Sequence, residues 1–271
     1  MSKKINLKEN LITAIKASLE AGKAVLEIYD RDFNVNYKDD KSPLTEADLV
    51  SNEIINKFLI DTSIPILSEE NKEVSFEIRK KWDSCWIVDP IDGTKEFIKK
   101  NGEFTINIAL VERGITKLGV IYVPVTRELY YTNHNKTFSY KTTIPEKIHD
   151  LESLLFYDKD KNIPAVDIKS NTKIVGSRSH MNDDTLNFVE ELKEQYDNVE
   201  IVSKGSSLKF CLVAEGKANY YPRFAPTMEW DTAAGQAICE AVGLNVIDHQ
   251  TGKSIVYNRE KLLNNYFLVS K

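Results

Sequence analysis

Within Asp89-Pro90-Ile91-Asp92-Gly93-Thr94, two carboxylates, a glycine and a hydroxyl follow directly on the apolar run Trp86-Ile87-Val88. The run has the aromatic and β-branched character of a buried strand. Pro90 has no N–H to give a ladder, so it is expected to stop the strand and present Asp89 and Asp92 at its exit. Two acids held in a half-buried turn repel one another and lose hydration unless a cation or protons neutralise them. A divalent ion would do so. Gly93 admits close approach to the main chain, and Gly93, Thr94 and Lys95 are expected to open a helix whose free N–H groups attract an anion. Cation and phosphate would meet at this turn. Asp, Pro and Gly also build turns without any chemistry, so the segment takes its meaning from acids elsewhere in the chain.

Two further acidic features supply that meaning. Upstream, Ile66-Leu67 after Pro65 reads as a short strand ending in Glu69-Glu70, from which Glu69 can reach the same ion; the plainer reading is a solvated charge pair. Downstream, Trp230-Asp231-Thr232-Ala233-Ala234-Gly235 places Asp231 at a helix start among small residues suited to close packing. Asp231 is explained by capping alone, although one oxygen can cap while the other faces a metal. Hard oxygen donors at three strand and helix ends suit Mg²⁺ in a two-metal or three-metal hydrolase site. A zinc site is not offered: His134, His149, His180 and His249 are scattered, and Cys85, Cys211 and Cys239 form no C-x-x-C pair.

With these segments the chain resembles the inositol-monophosphatase-like phosphatases, which are Mg²⁺-dependent and lithium-sensitive, over nearly its whole length. Asp89 to Thr94 matches the first signature of that family, Trp230 to Gly235 the second, and Glu69 its upstream glutamate. The strings from Asp89 to Ala109, Gly205 to Gly216 and Tyr221 to Thr227 look like its CysQ-type branch, the 3'(2'),5'-bisphosphate nucleotidases of sulfur metabolism. The resemblance implies a layered αβαβα sugar-phosphatase-like sandwich, mixed α+β and α/β in class, with its active site between two subdomains. It makes Glu69, Asp89, Asp92 and Asp231 side-chain ligands, with the Ile91 carbonyl, for two or three Mg²⁺ ions. Asp48 and Thr94, together with Glu69, would prepare the attacking water, while Gly93, Thr94 and Asp231 also face the substrate. Thr45-Glu46-Ala47-Asp48 reads equally well as a capping box opening a helix with Val50, Ile54 and Phe58 on one face, and capping explains Asp48 by itself. Thr94 has no histidine base beside it and is read as a relay to water, not as a nucleophile.

A formal net charge of −5 repels a polyanionic nucleotide as a whole, so attraction must be local. Lys209 and Arg178 are the leading cations. Gly205-Ser206-Ser207-Leu208-Lys209 joins two hydroxyls and an amine to a helix start, a composition suited to a second phosphate. By resemblance it is the pocket for the phosphate that is retained, through Ser206, Ser207 and Lys209. The loop Gly176-Ser177-Arg178-Ser179-His180 follows the strand-like Lys173-Ile174-Val175, and the resemblance puts Ser177, Arg178 and His180 near the adenosine; as plain sequence, it is a loop with a surface histidine. The implied reaction removes the 3'-phosphate of adenosine 3',5'-bisphosphate to leave AMP, with its sulfated relative PAPS as a further substrate. Inositol monophosphate or fructose 1,6-bisphosphate hydrolysis is the alternative enzyme, and a noncatalytic Mg²⁺-dependent nucleotide sensor the alternative of another class, which would not need Asp48 with Thr94.

The remaining residues must position this chemistry. At 271 residues with 42% hydrophobic and 28% charged, the composition is that of an ordinary globular chain. Residues 7 to 29 and Glu46 to about Ile60 read as helices preceding the first strands. From Phe104 to Tyr131 the pattern becomes an antiparallel meander with a turn at Arg113-Gly114. Beyond a polar connection around residues 141 to 165, in which Tyr157 to Asp167 reads as a solvated loop, strand-like and helix-like segments alternate as in an α/β unit. The expected division is therefore 1–150, with most metal ligands, and 151–271, with the nucleotide-binding loops and Asp231. Net acidity without a clustered basic face argues against a nucleic-acid polymer as partner. No segment resembles a signal peptide or a transmembrane span, and the three cysteines look like reduced core residues. The expected location is the cytoplasm, with the inner face of the membrane as a peripheral alternative.

Overall fold

The structure is a computed structural model that describes residues 5–38, 43–156, 162–163, 172–176 and 182–271. Helix α1 (Leu7–Tyr29) begins at Asn6, whose side chain accepts the Glu9 N–H. It buries Leu11, Ile15, Leu19, Val25 and Ile28 along one stripe, as the 3.6-residue period requires. Between it and helix α2 (Glu46–Leu59) the chain makes a short antiparallel pair, β1 (Val35–Tyr37) with β2 (Pro43–Thr45). The two helices therefore do not both precede the first strands. Three-residue strands are too short for alternation to register in the sequence.

Strand β3 (Ile66–Ser68) runs parallel to β4 (Ser84–Asp92), and β4 pairs antiparallel with β5 (Thr105–Glu112). The expected meander continues through β6 (Ile115–Val123), β7 (Glu128–Thr132) and β8 (Ser139–Thr143), with Arg113 and Gly114 both at positive φ in the β5–β6 turn. The stretch expected to be only a polar connection contains α5 (Leu151–Phe156), and β9 (Asn162–Ile163) closes the edge of this seven-stranded sheet. Most of Tyr157 to Asp167 lies outside the described residues. Pro90 does not stop β4. Asp89 faces Asn107 and Asp92 faces Thr105, so one extra residue is accommodated in a bulge, where a missing N–H leaves no gap in the ladder.

The later segments alternate as expected: β10 (Thr172–Gly176), α6 (Asp183–Gln195), β11 (Val199–Ser203), α7 (Leu208–Ala214), β12 (Tyr221–Arg223), α8 (Glu229–Ala241), β13 (Asn245–Asp248) and β14 (Phe267–Ser270). Strands β10 and β11 are parallel, and β14 lies between β12 and β13.

Burial separates the layers. Alternate residues of the large sheet, Trp86, Val88, Ile106 and Ile108, pack against α1 and α2, whereas Ile87, Ala109, Val111 and Ile121 face α7 and α8 with Phe210, Cys211, Ala233 and Ile238. Phe267 and Val269 cover the far side of α7 and α8, and α6 packs Val189 and Leu192 on Ile174. The order is helix, sheet, helix, sheet, helix. Cys85, Cys211 and Cys239 are buried and unpaired. No helix among the described residues is long and apolar enough to cross a membrane.

The middle helical layer depends on one missing side chain. A Cβ on Gly235 would lie 2.4 Å from the Phe210 ring, so only glycine lets α7 and α8 approach this closely. Gly235→Val should lower unfolding stability in urea by about 1–3 kcal/mol through overpacking; an unchanged midpoint would mean that Phe210 turns aside without strain.

Candidate active site

The sheet and α8 bring three carboxylates to one focus. Glu69 follows directly on β3, and its N–H bonds to Val88 O at 3.2 Å. The buried end of β4 carries Asp89, 1% exposed, with Oδ1 accepting the Ile91 N–H at 3.1 Å. Asp231 is the third residue of α8, not the residue before it; its Oδ2 caps the Met228 N–H at 2.8 Å. Glu69, Asp89 and Asp231 each offer one oxygen, and these atoms lie within 4.8 Å of one another.

Such a focus is electrostatically costly, as the carboxyl pKa values show. Burial, and then Glu69, Asp92, Asp231 and Asp48, drive Asp89 well above the usual carboxylate range. Burial, reinforced by Asp92 and Glu69, pushes Asp231 up to about 7. Glu69 is raised by burial against the pull of Lys38, and Asp48 by burial against its hydrogen bonds. Like charges this close ionise together only with a counter-charge among them. The donors are all oxygen, which fits a hard divalent cation such as Mg²⁺.

Asp92 stands beside this focus. Its Oδ2 accepts the Ser207 hydroxyl at 2.7 Å and Asn107 Nδ2 at 3.4 Å. Ile91 is buried, and its carbonyl lies 3.4 Å from Thr94 Oγ1. Gly93 takes φ +93° to turn from β4 into α4 (Thr94–Ile98), and a Cβ there would crowd Ser206 and the Glu103 carbonyl. Thr94 Oγ1 donates to Asp48 Oδ1 at 3.1 Å, while Asp48 Oδ2 accepts both Thr45 N and Thr45 Oγ1 at 2.7 Å. The capping box at Thr45 is thus present, and the same carboxylate that caps α2 also holds Thr94.

The loop before α7 closes over the first turn. Glu103 accepts Lys204 Nζ at 3.1 Å and Gly205 N at 2.9 Å, so Ser206 lies against Gly93. Lys209 is buried; its ammonium donates to the carbonyls of Ser206 and Lys204 and sits 5.6 Å from the centre of the Tyr221 ring. Burial lowers its pKa to about 8, with Asp92 opposing and Arg223 adding to the fall. Ser177, Arg178 and His180 lie outside the described residues.

Two basic residues escaped the sequence reading. Lys38 donates to Glu69 Oε1 at 2.8 Å and also to Glu70, so the paired glutamates are not a solvated pair. Its ammonium is held protonated by Glu69 and Glu70 despite burial. Arg223 stands near Lys209 and Asp231, and its Nε is buried without a hydrogen-bond partner among the described residues. Its place as the one cation in the apolar and aromatic stretch Tyr220-Tyr221-Pro222-Arg223-Phe224 was the signal available for it.

Residues 6–270 match the inositol monophosphatase family. The chain is 43% identical over 255 residues to the 3'(2'),5'-bisphosphate nucleotidase CysQ of Salmonella typhimurium, covering 92% of this chain and 95% of that protein. It is 42% identical, with the same coverage, to the CysQ nucleotidase of Escherichia coli K12. The crystal structure of CysQ from Bacteroides thetaiotaomicron, described as a bacterial member of the inositol monophosphatase family, superposes with a TM-score of 0.87 at 44% identity over 98% of both chains.

The crowding of carboxylates sets an expectation for metal removal. Mg²⁺ in large excess over its dissociation constant should stabilise the native protein, by about 2.7 kcal/mol at a hundredfold excess. Asp89→Asn should melt higher than the natural protein in EDTA, because a buried repulsion is relieved, yet gain little from added Mg²⁺. Equal gains for both proteins in a thermal melt would dismiss Asp89 as a ligand.

Proposed function

Since this chain belongs to the inositol monophosphatase family, we propose that it is a Mg²⁺-dependent 3'(2'),5'-bisphosphate nucleotidase that hydrolyses the 3'-phosphate of adenosine 3',5'-bisphosphate to AMP, and PAPS alongside it. The observation that carries this reading is identity of 43% to a CysQ nucleotidase along almost the full length of both chains. The convergence of Glu69, Asp89 and Asp231 supports the metal dependence.

In this reading Glu69, Asp89, Asp92, Asp231 and the Ile91 carbonyl hold two or three ions. Bound Mg²⁺ supplies neutralisation of charge on the transferring oxygens and lowers the pKa of water. The chain's own residues do the positioning. Asp48 fixes the Thr94 hydroxyl at 3.1 Å, so that Thr94 orients water towards phosphorus, with Glu69 as a further acceptor for its proton. Gly93 and Thr94, at the start of α4, offer backbone N–H groups to the phosphate that leaves. Ser206 and Lys209 meet the phosphate that stays. An anion beside Lys209 and Arg223 offsets the burial that depresses the lysine pKa, which gives this pocket its reason to bind a second phosphate. Ser177, Arg178 and His180 belong to the adenosine side of the same reading.

We assign the first 150 residues and the remainder to two subdomains, with Asp231 completing from the second a site begun by the first. We assign the reaction to the cytoplasm, with the inner face of the membrane as the peripheral alternative.

Phosphate release by the purified protein from adenosine 3',5'-bisphosphate, PAPS, inositol 1-phosphate and fructose 1,6-bisphosphate, with Mg²⁺ and with EDTA, tests the assignment. Preference for the adenylyl substrates, abolished by EDTA, is expected; preference for a sugar phosphate would overturn it. Lys209 has a pH signature of its own. Its ammonium is lost as pH rises through about 8, so KM for the bisphosphate should climb above that value in the natural protein. Lys209→Met should show a raised KM with no such climb, and parallel profiles would remove Lys209 from the pocket.

A further inference from the structure

We propose that Ser207 and Asn107 are positioning residues that set the carboxylate of Asp92 for metal binding, and that Ser207 does so in place of contacting substrate. The inference rests on the metal site proposed above. Ser207 and Asn107 are 2% and 1% exposed, so every polar atom they carry must find a protein partner.

The partners form one connected path. Thr105 Oγ1 donates to Asn107 Oδ1 at 3.0 Å, which leaves the Asn107 amide nitrogen to act as donor. That nitrogen donates to Ser207 Oγ at 2.9 Å and to Asp92 Oδ2 at 3.4 Å. With one lone pair occupied by Asn107, the Ser207 hydroxyl turns its single proton to Asp92 Oδ2 at 2.7 Å, with the Asp231 carbonyl 3.1 Å away. One hydroxyl thus touches two segments of the metal focus, one through a side chain and the other through its backbone.

These contacts orient Asp92. Its Oδ2 is held by two donors, so the plane of the carboxylate is fixed and with it the direction of Oδ1. After the bulge in β4, Asp92 returns to register opposite Thr105, which sets its backbone, while the Thr105–Asn107–Ser207 path orients its carboxylate. Because Ser207 adjoins Ser206 in the loop over Gly93, the same hydroxyl also docks that loop on the metal side of the cleft. A proton committed to Asp92 is not available to a phosphate oxygen.

The test uses Mn²⁺ binding to the EDTA-treated full chain, read by electron paramagnetic resonance without substrate, beside thermal melts in EDTA. Ser207→Ala and Asn107→Ala should each weaken Mn²⁺ binding roughly tenfold or more. The double variant should lose less than the two single losses combined, because Asn107 acts partly through Ser207, and Ser207→Thr should restore most of the affinity. Thr105→Val, nearly isosteric and expected to fold, should show a smaller loss in the same direction. Natural Mn²⁺ affinity in Ser207→Ala, or in Thr105→Val should Ser207→Ala not fold, would overturn the proposal, as would a raised KM for the bisphosphate with no change in Mn²⁺ binding. Failure of the natural protein to bind Mn²⁺ would instead sink the metal site itself.

Discussion

Carboxylates that repel one another across a few ångströms, at the end of a buried strand, are the constraint around which this fold is arranged. Asp89 sits in the apolar heart of the molecule, between the layer of α1 and α2 and that of α7 and α8. Solvent does not reach it, and one local N–H, from Ile91, does not neutralise its charge. The neighbours therefore supply what charge and direction they can: the Ile91 N–H on Asp89, the Met228 N–H on Asp231, the Ser207 hydroxyl on Asp92 and the Lys38 ammonium on Glu69. These contacts orient the acids without cancelling their repulsion. Burial first, and then the neighbouring acids, still hold Asp89 and Asp231 above the usual carboxylate range, and a cation among them would relieve that cost.

The surrounding layers convert this local tension into geometry. Close approach of α8 to α7, permitted by Gly235, brings Asp231 to the end of β4 from the opposite side of the sheet. A positive φ at Gly93 turns the chain directly after Asp92, so that the N-terminus of α4 opens beside the acids and not at a distance. A single side chain can serve two contacts at this site. Asp48 caps α2 with one oxygen and holds Thr94 with the other, so the capping reading of that residue does not compete with the pairing to Thr94.

Features carried by short-range pattern were legible in the sequence. Helix α1, the meander from β5 to β7, the alternation from β10 to α8 and the burial of all three cysteines follow from periodicity and composition. The acidic foci were legible because acids at the ends of apolar runs contradict simple partition. What escaped depends on contacts between distant positions. Lys38 meets Glu69 across 31 residues of chain, and Ser207 meets Asp92 across 115; no local period encodes either. Pro90 misled for a different reason, since the rule that proline ends a ladder holds for regular pairing and β4 is bulged at that point. Asn107 offered a clue that only the structure made readable, an amide in the midst of the apolar run from Thr105 to Val111.

The sequence order of the acids also governs when the cage can come into being during synthesis. Glu69 and Asp89 emerge early, but Asp231 lies far downstream on a helix whose outer face is covered by Phe267 and Val269 of β14. A growing polypeptide that has completed the seven-stranded sheet still lacks both the third oxygen donor and the strand that seats it. The three donors that could hold a cation are therefore complete only in a chain that has already made α8.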